Sequence, residues 1–194
     1  MLRKNTFNLI LTSLVALGLA LGCMSREEAE KWREKELRAQ DERADLAKRG
    51  DEYAKYAAPE KLVAEPYVRE KIVVVYTWAD GRNEIREDDI NRVKSHAQKA
   101  GEEQSVFKVK CREVPAGEYV FERSNRKVPA FSARCETELY DQTIPALIYR
   151  KTFENKDLKE SIRIYDGLQK PPDKVVAPNP EREILDFLYE LPRK

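Results

Sequence analysis

Lys71-Ile-Val-Val-Val-Tyr-Thr-Trp78 is the stretch of this 194-residue sequence that decides its fold class. A continuous run of mainly β-branched residues such as Ile72–Val75 indicates a buried strand, because these side chains pack well on a pleated surface. Asp80-Gly81 predicts a turn directly after the strand. The globular part of the chain is therefore expected to contain a β-sheet that includes Lys71–Trp78.

A helix is predicted after this turn, and a second strand after the helix. Glu87-Asp88-Asp89 places acidic residues at the start of the helix and Gly101 ends it, which is the polarity that the helix dipole favours. The apolar residues between them have helical spacing: Ile90, Val93, Ala97 and Ala100. Val106–Val114 then alternates between apolar residues (Phe107, Val109, Cys111) and basic residues (Lys108, Lys110, Arg112). One side of this strand is therefore expected to face water.

Further strands and a last helix complete the predicted domain. The expected strands are Tyr119–Phe121, Thr143–Phe153 and Ser161–Tyr165. Residues 171–180 contain four prolines and are expected to form an extended linker, at the end of which Asn179-Pro180 caps the helix. The apolar residues of this helix are Ile184, Leu185, Leu188 and Leu191.

Val128–Tyr140 fits two structures. Phe131, Cys135 and Leu139 belong to a strand-like alternation, but they are also four residues apart, as on one face of a helix. Both interpretations stay open from the sequence. The overall prediction is an α+β fold, in which a mixed or antiparallel sheet is flanked by two helices.

The first 23 residues have the pattern of a secretory signal peptide. Arg3 and Lys4 form a basic start, Leu9–Leu21 is an apolar run, and small residues precede Cys23. The run of about 13 residues is shorter than the ~20 that cross a bilayer as a helix, although an uncleaved anchor is the alternative. Ala20-Leu21-Gly22-Cys23 resembles the lipobox of bacterial lipoproteins. The resemblance implies cleavage before Cys23 and acylation of its thiol, with palmitate as an expected acyl chain.

The lipobox resemblance also implies a location and a division of the chain. It implies a lipid-anchored membrane protein of the bacterial cell envelope, whose domain faces the periplasm or the exterior. Because Met24 and Ser25 follow Cys23 and no Asp stands there, the resemblance favours the outer membrane. We expect a signal peptide at 1–22, the lipidated Cys23 and a stalk or linker at 23–66, and a globular domain at 67–194.

Ser25–Lys55 is expected to form a charged helical stalk, since 19 of its 31 residues are charged and none is Pro. Trp32, Leu46 and Tyr53 belong to a series that recurs every seven residues. One interpretation is a coiled-coil seam for self-association or a protein partner through these three side chains. The other is a solvated tether in which the spacing has no role.

The charge balance excludes several classes of function. The chain has 36 Lys and Arg against 35 Asp and Glu, and loss of Arg3 and Lys4 with the signal would leave 34 against 35. We therefore expect no nucleic-acid partner.

The single histidine, His96, excludes metal sites with two imidazoles, and we expect it on the predicted helix as an exposed or structural residue. No catalytic residue, metal or cofactor is predicted.

Cys111 and Cys135 are the only thiols left if Cys23 is lipidated. In an oxidising compartment a structural disulfide is expected, and two neighbouring strands would bring the sulfur atoms within bonding distance. The alternative is a redox pair, although Cys-x-x-Cys spacing is absent.

Part of the domain resembles the thioredoxin-like family. Ile72–Ala79, followed by a helix, is similar to the second strand and first active-site helix of that family, and Thr143–Tyr149 resembles its strand that begins with a cis-proline. The resemblance implies a thioredoxin-like α/β fold as the alternative fold class. Residues 80–86 contain no Cys, so only Pro145 corresponds to a family position and the catalytic residues do not carry over.

The sequence as a whole favours a non-catalytic binding or structural module of the cell envelope. The alternative is a thioredoxin-like thiol-disulfide redox protein that uses Cys111 and Cys135.

Overall fold

The computed structural model of the chain describes residues 25–93, 95–121, 125–158 and 172–194. Within these residues the helices are α1 (Arg26–Ala47), α2 (Gly50–Lys55), α3 (Glu87–Arg92) and α4 (Glu181–Glu190). The strands are β1 (Ile72–Thr77), β2 (Asn83–Glu84), β3 (Ser105–Phe121), β4 (Arg126–Asp141), β5 (Ala146–Asn155) and β6 (Val175–Val176). The expected α+β class is confirmed.

The strands form one mixed sheet in the order β2-β1-β3-β4-β5, with β6 beside β4. β1 and β3 are parallel, and the chain crosses between them through α3. β3, β4 and β5 are antiparallel neighbours. Both the parallel pair and the antiparallel strands were within the expected mixed architecture.

The long hairpin of β3 and β4 corrects two sequence-based expectations. Val106–Val114 and Tyr119–Phe121 are parts of one strand, which pairs with β4 along its whole length through an irregularity between Pro115 and Gly117. Val128–Tyr140 is a strand and not a helix, because its backbone pairs with β3 on one side and with β5 and β6 on the other. Non-local pairing therefore decides what the local period left open.

The helix predicted over Glu87–Gly101 is wrong in its second half. α3 ends at Arg92, and the chain then runs beside the start of β1. The amide of Ile72 donates to the carbonyl of Ser95 at 2.8 Å, and the amide of Ala97 donates to the carbonyl of Ile72 at 2.8 Å. These bonds satisfy backbone groups that a longer helix would have satisfied internally. His96 consequently lies outside any helix.

One face of the sheet is closed by α4. Ile184 and Leu188 are buried in the same core as Phe107 and Leu139. The ring of Phe187 lies against the rings of Phe107, Tyr149 and Phe153, with centroid distances of 6.4, 5.5 and 5.7 Å. Pro180 stands at the N-cap position of α4, as Asn179-Pro180 predicted.

The opposite face is covered over only part of its area. Leu46 and Tyr53 are 0% and 5% exposed and belong to a core that includes Val73 and Val75 of β1. α2 approaches β2 so closely that a Cβ atom at Gly50 would lie 2.5 Å from the carbonyl oxygen of Asn83. Leu46 and Tyr53 are thus core residues of the domain.

The chain divides into two compact units, of which one ends at Asp41 and the other covers Glu42–Lys194. The globular unit therefore begins before the expected boundary at Tyr67. In the unit that ends at Asp41, the first turn of α1 has a capping box: the Glu28 amide donates to the Ser25 hydroxyl oxygen and the Ser25 amide donates to the Glu28 carboxylate. Trp32 is 43% exposed in that unit.

Three expectations fall on residues outside the described ranges, namely the signal peptide at 1–22, lipidation of Cys23 and the strand Ser161–Tyr165. Of the helices described, none combines the length and apolar character needed to span a bilayer.

Candidate functional site

The uncovered part of the second sheet face is charged. Alternation in β3, β4 and β5 places polar side chains on this part of the face, and we call seven of them the charged face: Lys108, Lys110, Arg112, Glu136, Glu138, Arg150 and Thr152. The strand register puts Lys108 opposite Glu138, and Glu138 opposite Arg150. Acidic and basic groups therefore alternate across the strands in this row, which is the favourable arrangement for cross-strand pairs.

A cleft of about 790 Å³ lies over the charged face. Most of the charged face lines its floor, and Lys55, Thr77 and Asn83 line its side. Lys55 is the last residue of α2, and Thr77 and Asn83 come from the paired ends of β1 and β2. The cleft exists because α2 and the residues around it cover only the part of the sheet nearer to Val73 and Val106.

Glu138 is the centre of an ion-pair network on the floor. Its carboxylate accepts hydrogen bonds from the Tyr140 hydroxyl at 2.7 Å and from Arg150 Nε at 3.2 Å, and Lys108 Nζ lies 3.8 Å away. Burial would raise the pKa of Glu138, but these hydrogen bonds and the two positive charges lower it further than burial raises it. Glu138 is therefore ionised at neutral pH.

Lys108 connects the floor to the chain that follows α2. Its ammonium group donates to the carbonyl oxygen of Tyr56 at 2.9 Å and lies 5.3 Å from the centre of the Tyr140 ring. Burial lowers the pKa of Lys108, and the charge of Glu138 opposes that effect. This lysine is held in one position by a backbone group, a carboxylate and a ring.

The other charges of the floor are paired in part. Arg112 donates to Glu136 at 2.7 Å, and Arg150 donates to Glu60 at 2.5 Å. Within the described part of the chain, neither Lys55 nor Lys110 has a carboxylate within 4.0 Å. The ammonium groups of Lys55 and Lys110 are therefore unneutralised charges of the cleft.

The side of the cleft is fixed by a short hydrogen-bond chain. The Thr77 hydroxyl donates to the side-chain oxygen of Asn83 at 2.7 Å, and the Asn83 amide donates to Asp51 at 2.9 Å. Asp51 belongs to α2, so the helix and the β1–β2 hairpin are joined at the cleft wall. The close approach of Gly50 to the backbone of Asn83 joins the same two elements.

The two cysteines predicted from the sequence lie away from the cleft. Cys111 and Cys135 are directly opposite in β3 and β4 and are joined by a disulfide, with Cα atoms 4.0 Å apart. Both belong to the core under α4, and they are 5% and 0% exposed. An external thiolate has little access to such a bond, which fits the structural interpretation better than the redox one.

His96 and Pro145 also lie outside the cleft. His96 is fully buried, so the structural interpretation holds and the exposed one is wrong. Pro145 is in the turn between β4 and β5, and no cis peptide bond occurs among the described residues, so the bond before Pro145 is trans. The expected cis-proline of a thioredoxin-like strand is therefore wrong.

The sequence indicates one row of the charged face, and the other rows depend on the strand pairing. The alternation in Val106–Val114 correctly predicts that Lys108, Lys110 and Arg112 lie on the side of the strand that faces water. Glu136 and Glu138 alternate in the same way, but Val128–Tyr140 had no assigned structure. Arg150 and Thr152 lie inside a predicted strand. They occupy alternate positions as Glu136 and Glu138 do in β4, and this alternation is the signal that places all four side chains on one side of the sheet.

No protein-family model, no curated protein and no solved structure matches this chain. Among the described residues, no group of three or more His, Cys, Asp or Glu side chains is placed to hold a metal ion.

Proposed function

We propose that this chain is a lipid-anchored protein of the bacterial cell envelope whose folded domain is a non-catalytic binding module. The observation that supports the binding role is the cleft over the charged face. Its volume of about 790 Å³ is in the range of small-molecule sites, which is roughly 300–1,000 Å³. A sheet face left open in an otherwise packed domain is available for a ligand.

The cleft is suited to binding because its charges are already in place. Ion pairs join Glu138 to Lys108 and to Arg150. The Tyr140 hydroxyl donates to Glu138, and Lys108 donates to the carbonyl oxygen of Tyr56. A ligand then meets side chains that have lost most of their rotamer freedom before it arrives. The free-energy cost of ordering the site, about 0.5–1.5 kcal/mol for each flexible side chain, is correspondingly small.

The side chains that line the cleft favour binding over covalent catalysis. They include no His, Cys or Ser among the described residues. Of the three threonines that line the cleft, Thr77 donates to Asn83 and Thr137 donates to the carbonyl of Lys151. Covalent catalysis needs a nucleophile beside a base. His96 is buried, its Nε2 atom accepts the amide of Val74, and it does not line the cleft.

The proposed anchor rests on the lipobox resemblance at Cys23 and has its own test. Cells that express the full chain would be grown with an alkyne-bearing palmitate, and the purified protein would be examined for label and intact mass. We expect label in the wild type and in a Met24→Ala control, and none in Cys23→Ala. An unlabelled wild type, or a labelled Cys23→Ala, would contradict the anchor.

The binding role is tested by filling the cleft. Thr152→Trp places a large ring on the charged face, and Lys61→Trp places the same ring at an exposed position outside the cleft. Native mass spectrometry of the full chain, mixed with the small-molecule fraction of a periplasmic extract, should show a bound species for the wild type and Lys61→Trp. Its persistence in Thr152→Trp, or its absence from the wild type, counts against the binding role.

A further inference from the structure

The charges that line the cleft do not balance. Four basic side chains face the cleft, namely Lys55, Lys108, Lys110 and Arg150, against two acidic ones, Glu136 and Glu138. Lys151 also lines the cleft, but its ammonium group lies over the rings of Phe153 and Phe187 on the α4 side of the sheet. Adding the partners outside the cleft, Arg112 on Glu136 and Glu60 on Arg150, gives five basic and three acidic groups. The cleft and its partners carry a net charge of +2 by either count.

The surplus of positive charge is located on two particular ammonium groups. Glu138 is shared by Lys108 and Arg150, and Glu136 accepts from Arg112 although Lys110 is its cross-strand neighbour. Lys110 on the floor and Lys55 on the side are therefore left without a carboxylate partner in the described chain, and both are exposed.

The surroundings strengthen the effect of this surplus. Asp51 of α2 accepts the amide hydrogen bond from Asn83 of the side wall and is itself not a lining residue. The lowered pKa of Lys108 shows that burial disfavours its cation on this floor, even with Glu138 present. A concave site with a net charge concentrates its field on the opening, which attracts ions of the opposite sign.

We propose that the cleft binds an oxyanion, the phosphate or carboxylate group of a small molecule, between the ammonium groups of Lys55 and Lys110. This inference rests on the proposed binding function and names the class of its ligand. The Thr152 hydroxyl supplies a neutral donor on the same floor. The carboxylates of Glu138 and Glu136 are occupied by ion pairs with other basic groups, so they do not compete for the two free cations.

The test is calorimetric titration of the full chain in detergent with inorganic pyrophosphate and, separately, with citrate. The two probes distinguish a phosphate ligand from a carboxylate ligand. The variant is Lys55→Ala with Lys110→Ala. The control is Lys35→Ala with Lys61→Ala, which removes the same charge from exposed positions that do not line the cleft.

We expect at least one probe to bind the wild type and the control with affinities within twofold of each other. The cleft variant should lose tenfold or more in affinity, with its melting temperature unchanged because both side chains are exposed. The affinity of the wild type should also fall as salt rises from about 20 to about 200 mM, because added ions screen the two cations.

Equal losses in the two double variants would overturn the proposal, since they would show attraction to net charge alone. Binding of neither probe would also overturn it. In that case the cleft-filling experiment separates the two claims: a bound species that Thr152→Trp removes keeps the binding role and rejects the anion. A bound species that Thr152→Trp does not remove rejects both.

Discussion

His96 shows at the scale of one residue how a side chain can take the place of secondary structure. Its Nε2 atom accepts a hydrogen bond from the amide of Val74 at 3.2 Å, and its Nδ1 atom lies 2.8 Å from the carbonyl oxygen of Ala97. Because Nε2 faces a donor and Nδ1 faces an acceptor, the proton of the neutral ring is on Nδ1. A second proton on the ring would turn the Val74 contact into two donors facing each other.

The stability of the protein should therefore fall as His96 becomes protonated. Burial lowers the pKa of His96 below its ordinary value of 6.5 and the charge of Lys71 lowers it further, while the bond to Ala97 opposes them. The folded state thus binds fewer protons than the unfolded state just below pH 6.5. The contribution of His96 is complete above that pH and is lost progressively as the pH falls to and through the folded-state pKa.

Two measurements test this prediction. Since His96 is the only histidine, its ring proton gives a single NMR signal whose titration midpoint should lie below 6.5. Urea unfolding at pH values from about 7.5 to 5.5 should give a falling free energy of unfolding, above the range where carboxylates titrate. A midpoint at or above 6.5 contradicts the structural role.

At the scale of elements, the β3–β4 hairpin organises the domain. Phe107 and Leu139 of this hairpin belong to the core under α4. The side chains that alternate with them, such as Lys108 and Glu138, belong to the charged face on the other side of the sheet. The Cys111–Cys135 disulfide joins the two strands at the point where β1 has ended and β3 has no further partner on that side among the described strands.

Removing the disulfide should therefore destabilise the domain without changing the cleft. Cys111→Ala with Cys135→Ala should reduce the free energy of unfolding by about 3.5 kcal/mol, which is the chain-entropy value for a loop of about 25 residues. The control is the adjacent cross-strand pair, Lys110→Ala with Glu136→Ala, for which exposure limits the expected loss to about 1 kcal/mol. Equal losses in denaturant titrations would contradict a stapling role.

At the scale of the whole molecule, α1 contributes to the globular unit through its last turns. Leu46 is fully buried, whereas Leu37 of the same helix is 55% exposed. The boundary between the two units, after Asp41, falls within the residue range of α1. This division differs from a stalk that ends where the domain begins, since the domain's core includes a helical residue of the predicted stalk.

A pair of matched substitutions tests this division. Leu46→Ala should reduce the free energy of unfolding by about 2–5 kcal/mol, because it leaves a cavity in the core. Leu37→Ala should change it by about 0.5 kcal/mol or less, as for most exposed positions. Similar effects in chemical denaturation would mean that Leu46 does not pack in the globular unit. Dimerisation that depends on Leu46 would support the seam interpretation instead.

The sequence by itself determined the parts whose period agrees with their environment. Ile72–Tyr76 is a strand because β-branched residues favour one, and the alternation of Val106–Val114 correctly separated the apolar side from the basic side. The side chains of Cys111 and Cys135 were placed on one apolar face for the same reason. In each case the local pattern reports which side of the element faces water, and the fold agrees with it.

Only the tertiary structure decided where segments find their hydrogen-bond partners. Val128–Tyr140 is a strand because β3 and β5 lie on its two sides, and the residues after Arg92 leave the helix because Ile72 takes up their backbone groups. The cleft likewise depends on how far α2 extends over the sheet, which the contact at Gly50 fixes. A periodic pattern specifies which side of an element is apolar. The pairing of segments that are far apart in sequence determines which sides meet and which charges remain unpaired.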